Sequence, residues 1–165
     1  LPEVDGVDTL RELMRHVLVV CTANQCRSPM AEGLIRSRIE AEGLEGRVSV
    51  SSAGTWTDSG VPATQNAVAA LAERGLDISS HRSREVSEDM MQGADLILVM
   101  TGSHLQALTA EFPGQSDRVR LLSSLAGGAW DIADPVGGSL DDYRVTAAEI
   151  ERLIDAGWDV IVGSA

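Results

Sequence analysis

The chain predicts an α/β fold, a three-layer open parallel sheet of about four strands flanked by helices. Short continuous apolar runs rich in β-branched residues, His16–Val20 and Leu96–Met100, read as strands buried on both faces of a parallel sheet. These runs alternate along the chain with segments of helical periodicity, the pattern of strands joined by crossover helices. With 165 residues the chain is long enough to bury one substantial core. Residues 1–15 stand apart as an N-terminal extension, and 16–165 form a single domain.

Within the extension, Thr9-x-x-Glu12 is a capping box before Leu13 and Met14, so Thr9 to Arg15 reads either as a short packed helix or as a mobile leader. The strand His16–Val20 delivers Cys21 at its carboxyl end. After the turn Cys21–Pro29, Ala31, Leu34, Ile35 and Ile39 recur at helical spacing. Ser28 is a preferred N-cap, Pro29 suits the first helical position and Gly43 ends the helix. A strand near Val48–Val50 follows, then a helix from about Ala63 to Arg74 stopped by Gly75. Next come an extended piece at Asp77–Ile78, a helical turn near Ser87–Met91 and the strand Leu96–Met100. A helix near Ser103–Glu111 and a strand at Arg118–Leu122 lead to an Asp-Pro loop. The last helix opens with the capping pattern Ser139-x-x-Asp142 and buries Ile150, Leu153, Ile154, Trp158 and Ile161.

The chemistry lies in Cys21-Thr22-Ala23-Asn24-Gln25-Cys26-Arg27-Ser28-Pro29. A strand-to-helix turn at the carboxyl edge of an open sheet is where ligands bind in such folds. Backbone N–H groups of the turn and of the helix start form a concave site for an anion such as a phosphate monoester. A helix N-terminus and a nearby guanidinium favour thiolate over thiol, which makes Cys21 a nucleophile candidate. Arg27 offers paired donors that match two phosphoryl oxygens, a fork that Lys lacks. The plainer alternative for Cys21 alone is a buried packing cysteine. Thiolate attack also needs a proton for a poor leaving group, and Asp134, before Pro135 and the flexible Gly137-Gly138, is placed to give it. An isolated Asp-Pro is otherwise a solvated turn. Asp131, Asp141 and Asp142 read as surface or capping charges.

The stretch C-x-x-x-x-x-R-S-P-M-A-E after V-L-V-V resembles the signature of the low-molecular-weight protein tyrosine phosphatases. The downstream Trp130-Asp131-Ile132-Ala133-Asp134-Pro135-Val136-Gly137-Gly138-Ser139 resembles the second signature of that family. Ser51–Thr55, Ser80–Arg84 and Ala94–Met100 match between them, and the similarity runs from about His16 to the C-terminus. The resemblance implies a Rossmann-like fold and a metal-independent phosphomonoester hydrolase of bacterial type acting on phosphotyrosine proteins. It would work through a phosphocysteine intermediate and no cofactor. Cys21, Arg27 and Asp134 would be catalytic, and Thr22, Ala23, Asn24, Gln25, Cys26, Arg27 and Ser28 would wrap the phosphate. The resemblance further implies that Ser52 and His81 hold Asn24, and that Ser28 donates a hydroxyl to the thiolate. Asn24 also tolerates a left-handed backbone, and His81 is equally readable as a partly exposed loop histidine. Cys26 resembles a neighbouring cysteine that traps an oxidised nucleophile as a disulfide, and is equally a small packing residue.

Ala23 stands where the family usually has Gly, Gln25 replaces an apolar or Thr residue at the pocket mouth, and Val136 replaces an aromatic. Gln25, Trp56 and Val136 are the expected pocket walls, although a large residue anchoring a loop is the commoner role for Trp56. The Cys-Thr and Asp-Pro-x-Gly-Gly-Ser contexts resemble the protein arginine phosphatase branch, the nearest rival activity. Arsenate reductases share the scaffold, but no cysteine follows Cys26, so only a form using an external small thiol fits. A non-catalytic phosphate-binding module is the non-enzyme alternative.

The formal net charge is −12 and every Lys/Arg position is Arg. That composition excludes a Walker-type lysine and disfavours a nucleic-acid surface, so the expected partner is a phosphorylated protein. His16, His81 and His104 have no metal-ligand spacing, and no metal is expected. No secretory apolar region or run of about twenty apolar residues occurs. A free functional thiol points to a reducing cytoplasm. A monomer or weak dimer is expected.

Overall fold

The computed structural model describes residues 14–164. The reading of a capped helix at Thr9–Arg15 lies outside the described residues up to Leu13, while Arg15 already belongs to the first strand. Strand β1 runs Arg15–Cys21, and Val17 to Val20 are fully buried because both faces of the sheet are covered. It pairs in parallel with β2 (Val48–Gly54) on one side and with β3 (Leu96–Val99) on the other, and β3 pairs with β4 (Val119–Leu121). The order β2-β1-β3-β4 reverses direction at β1, so the crevice between the carboxyl ends of β1 and β3 is the topological switch point. Cys21 ends β1 beside it.

Alternate residues feed two cores. Val17, Val19, Leu96 and Leu98 pack under helix α1 (Arg27–Ala41), α2 (Gln65–Ala72) and α5 (Leu140–Ala156). Leu18, Val20, Ile97 and Val99 pack under α3 (Glu88–Gly93) and α4 (Gly102–Glu111). The helix after the strand-turn, predicted from Ala31, Leu34, Ile35 and Ile39, buries all four. Ser139 and Asp142 form the reciprocal capping box that the spacing implied.

The extended piece at Asp77–Ile78 pairs with no strand among the described residues: after the left-handed Gly75 the chain turns inward and Ile78 buries against α1 at Gly33. Three local expectations differ. Ser28 is not the N-cap of α1: Cys26 occupies that position without a side-chain cap, because the Ser28 hydroxyl is engaged with Cys21 and Asn24 instead. The strand expected at Val48–Val50 extends to Gly54, since each of its residues finds a partner on β1. The final helix breaks at Gly157 into α5 and a short α6 (Trp158–Val162), where a Cβ would lie 2.4 Å from Leu125 Cβ.

Gly54 ties this scaffold to the site. A Cβ there would lie 2.5 Å from the Thr22 carbonyl oxygen, so only glycine lets β2 end against the loop after Cys21. Gly54→Ala is expected to lower stability by about 1–3 kcal/mol through that overpacking. The same displacement should lower kcat, checked by thermal unfolding alongside steady-state kinetics.

Candidate active site

The loop Thr22–Cys26 is held open from beneath by one buried residue. Asn24 has φ 57, the only positive φ of a non-glycine among the described residues, so the left-handed position is Asn24 rather than Ala23. Its Nδ2 donates to Ser28 Oγ at 2.8 Å and Ser52 Oγ at 2.9 Å, while its Oδ1 accepts from the Arg84 N–H at 3.1 Å. His81 Nε2 lies 2.7 Å from the Asn24 carbonyl oxygen. The Gln25 carbonyl accepts from Thr64 N–H at 2.9 Å, which pins the loop's far side. The N–H groups of Ala23, Asn24, Gln25 and Cys26 have no protein acceptor among the described residues. They are left for an anion.

Cys21 Sγ is buried and lies 3.0 Å from Ser28 Oγ. Arg27, 4% exposed, donates through Nη1 to the Ile132 carbonyl at 2.9 Å. Its Nη2 lies 3.4 Å from Asp134 Oδ2, and its Nε is buried with no protein partner. A buried guanidinium with a free donor beside unpaired N–H groups forms a receptor for a tetrahedral oxyanion. Asp134 also accepts from the Val136 N–H at 3.1 Å, which fixes the carboxylate at the rim of this receptor.

Cys26 Sγ lies 3.4 Å from Tyr143 Oη and 3.5 Å from Thr64 Oγ1. Burial pushes its thiol up, so it stays protonated where it packs. Burial likewise pushes Tyr143 up to about 12. Thr22, Ala23, Gln25 and Trp56 line one groove of about 600 Å³ together with Thr57, Asp58 and Glu85. Trp56 is 81% exposed over it. Val136, 60% exposed, lies on the other side of the loop beside Asp134.

The profile of the low molecular weight phosphotyrosine protein phosphatases matches residues 16–157. The chain belongs to the low molecular weight phosphotyrosine protein phosphatase family. A protein-arginine-phosphatase of Bacillus subtilis is 42% identical over 84% of this chain and 91% of its own length. A probable low molecular weight protein-tyrosine-phosphatase, EpsP, of Ralstonia nicotianae is 39% identical over 87% of this chain and 94% of its own. The low molecular weight protein tyrosine phosphatase structure from T. tengcongensis superposes with TM-score 0.84 at 39% identity, covering 88% of this chain and 99% of that one. Among the described residues, no helix of this phosphatase is long and apolar enough to cross a membrane.

Two residues inside the matching stretches, Glu32 at the end of C-x-x-x-x-x-R-S-P-M-A-E and Arg84 at the end of Ser80–Arg84, are given no role by the sequence and take one in the phosphatase site. Glu32 follows Ser28 by one helical turn, so both face the loop, and its Oε2 accepts from Ser52 Oγ at 3.3 Å and lies 3.8 Å from His81 Nδ1. Arg84 donates through Nε to the Ser52 carbonyl at 3.0 Å. Helical periodicity from Ser28 indicates the face on which Glu32 stands. Arg84 comes from a distant connection that only the folded chain brings near.

Asn24→Ala would retain a left-handed backbone without a side chain suited to it and orphan the Ser28, Ser52 and Arg84 partners. The expected loss is about 2–4 kcal/mol, with a fall in kcat larger than any change in KM, read by urea unfolding and kinetics. At Glu32, burial pushes the carboxyl up, but the neighbouring His81 ring and the Arg36 guanidinium outweigh it and hold it below its ordinary value. The unfolded chain therefore binds that proton at higher pH than the folded one. Glu32 contributes stability that is complete above the unfolded value and is lost as pH falls toward the folded one. Glu32→Gln should flatten that acid limb in unfolding series across the acid range.

Proposed function

We propose that this chain is a metal-independent protein phosphatase that hydrolyses phosphotyrosine through a phosphocysteine on Cys21. The observation that carries this reading is the buried Arg27, whose Nε has no protein partner among the described residues and whose Nη2 lies 3.4 Å from Asp134 Oδ2. In the first half-reaction the Cys21 thiolate attacks phosphorus, the bond from phosphorus to the leaving oxygen breaks, and Asp134 gives its proton to that oxygen. Arg27 and the loop N–H groups hold the equatorial oxygens as charge moves through the transition state. In the second, the Asp134 carboxylate takes a proton from water as the water oxygen attacks phosphorus and the P–S bond breaks. The thiolate returns to the Ser28 hydroxyl. Asn24, Ser52 and His81 act by fixing the loop, Gln25 and Trp56 wall the slot for the leaving group, and Val136 stands beside the acid Asp134 rather than in that groove.

An aryl leaving group gains most from Trp56. Phosphoarginine is the second reading. It is favoured by the Bacillus subtilis protein-arginine-phosphatase at 42% identity and by Asp58 and Glu85 beside Trp56 in the groove, which suit a cationic side chain. The phosphorylated protein is the partner, with the enzyme as monomer or weak dimer in a reducing cytoplasm, and residues 16–165 as one catalytic domain after an N-terminal extension.

Phosphate release from phosphotyrosine and phosphoarginine peptides, without added metal, tests both readings. Cys21→Ser should abolish turnover, and Asp134→Asn should lower kcat by about 10²–10⁴-fold. Faster release from phosphotyrosine supports the first reading and faster release from phosphoarginine the second. No release from either by folded, reduced protein overturns both and favours arsenate reduction with a small thiol or phosphate binding alone.

A further inference from the structure

The residue after the nucleophile is clamped from two sides. The Thr22 carbonyl accepts from Trp56 N–H at 3.1 Å, while the Thr22 hydroxyl lies 2.7 Å from Nε2 of His104. His104 is 5% exposed and sits in the first turn of α4, just past the carboxyl end of β3 and therefore at the switch point of the sheet. The start of α4 is itself tied to the acid loop: Gly102 N–H donates to Asp131 Oδ1 at 2.8 Å, and Ile132 N–H to the Met100 carbonyl at 2.9 Å. The Ile132 carbonyl in turn accepts from Arg27. His104 thus closes a ring that joins the nucleophile loop, Arg27 and the Asp134 loop.

The ring nitrogens decide what this contact does. Nδ1 of His104 is buried with no partner. Orphaned N–H donors are rarer in folded proteins than orphaned acceptors, so the proton belongs on Nε2, where Thr22 Oγ1 accepts it. The Thr22 hydroxyl then keeps its own hydrogen for another acceptor. Thr22 is exposed and lines the groove with Gln25 and Trp56, the space a substrate enters. Burial and the charge of Arg27, opposed by Asp131 and Asp134, lower His104 to about 4, which keeps the ring neutral and the donor arrangement constant at neutral pH.

We infer that His104 is a positioning residue: its Nε2–H fixes the Thr22 side chain so that the Thr22 hydroxyl donates to the substrate bound in the groove. The inference rests on the phosphatase reading above. A substrate acceptor that meets this donor gains a hydrogen bond without a new ordering cost, because the hydroxyl is already held.

A double-mutant cycle on para-nitrophenyl phosphate and on a phosphotyrosine peptide tests it, with long-range ¹H–¹⁵N spectra of the His104 ring as a readout that needs no turnover. Thr22→Val and His104→Phe should each lower kcat/KM by about 3- to 10-fold. The double variant should be no worse than the weaker single. Thr22→Ser and His104→Gln, which keep the hydroxyl and the donor, should restore most of the loss. The spectra should show a neutral ring protonated on Nε2. Multiplicative losses in the double variant, wild-type kinetics for Thr22→Val, or a ring protonated on Nδ1 each overturn the inference. If the native protein releases no phosphate from either substrate, the phosphatase reading fails on its own. The ring spectra and the affinity of Thr22→Val for vanadate then decide the His104–Thr22 contact separately: an Nε2–H ring with weakened vanadate binding upholds it, and any other pairing overturns it.

Discussion

Every part of the site depends on the buried left-handed Asn24. A loop that turns its N–H groups toward one point must place its carbonyls elsewhere and find one residue willing to adopt φ 57. Asparagine accepts that backbone at lower cost than other residues with a Cβ, and its amide then supplies two donors and an acceptor to the structure beneath. Those bonds reach α1 through Ser28, β2 through Ser52 and the 81–85 connection through Arg84. Three elements distant in sequence are thereby locked to the loop. The nest is preorganised by the fold instead of being assembled by the ligand.

The electrostatics follow the same economy of scale. A chain of net charge −12 repels anions at long range, yet charges on its surface are screened within about 8–10 Å at cellular salt. Inside that distance the local field comes from Arg27, the helix α1 start and the loop N–H groups. Burial makes Arg27 strong because few water molecules compete for it. It also obliges the guanidinium to have partners: the Ile132 carbonyl serves one end, and Asp134, whose side chain is 41% exposed, serves the other.

Much of this was readable in the chain because the signals are local. The β1 run, the apolar spacing of α1 and the Ser139-x-x-Asp142 cap each depend on neighbours a few residues away, and each is present in the fold. The left-handed Asn24 was compatible with its residue type. The failures share a physical cause, competition from tertiary partners. Ser28 has the chemistry of an N-cap but is drawn to Cys21 and Asn24. No role for Arg84 or His104 is legible locally, because each meets the loop only in the fold, Arg84 through the Asn24 side chain and His104 from the start of α4.

The pairing of Arg27 with Asp134 connects substrate binding to proton transfer on the proposed mechanism. At 3.4 Å the contact is long for a charge-assisted hydrogen bond and half open to water, so it holds the acid loop over the site only weakly. A phosphoryl group in the nest offers Arg27 oxygens at shorter range and with paired geometry. The guanidinium then turns its free donors to the ligand, and Asp134 loses a partner when the leaving oxygen arrives beside it. The Val136 N–H still holds the carboxyl by one oxygen, which leaves the other free to face that oxygen. On that mechanism the same buried cation serves the acid loop and the phosphoryl group in turn.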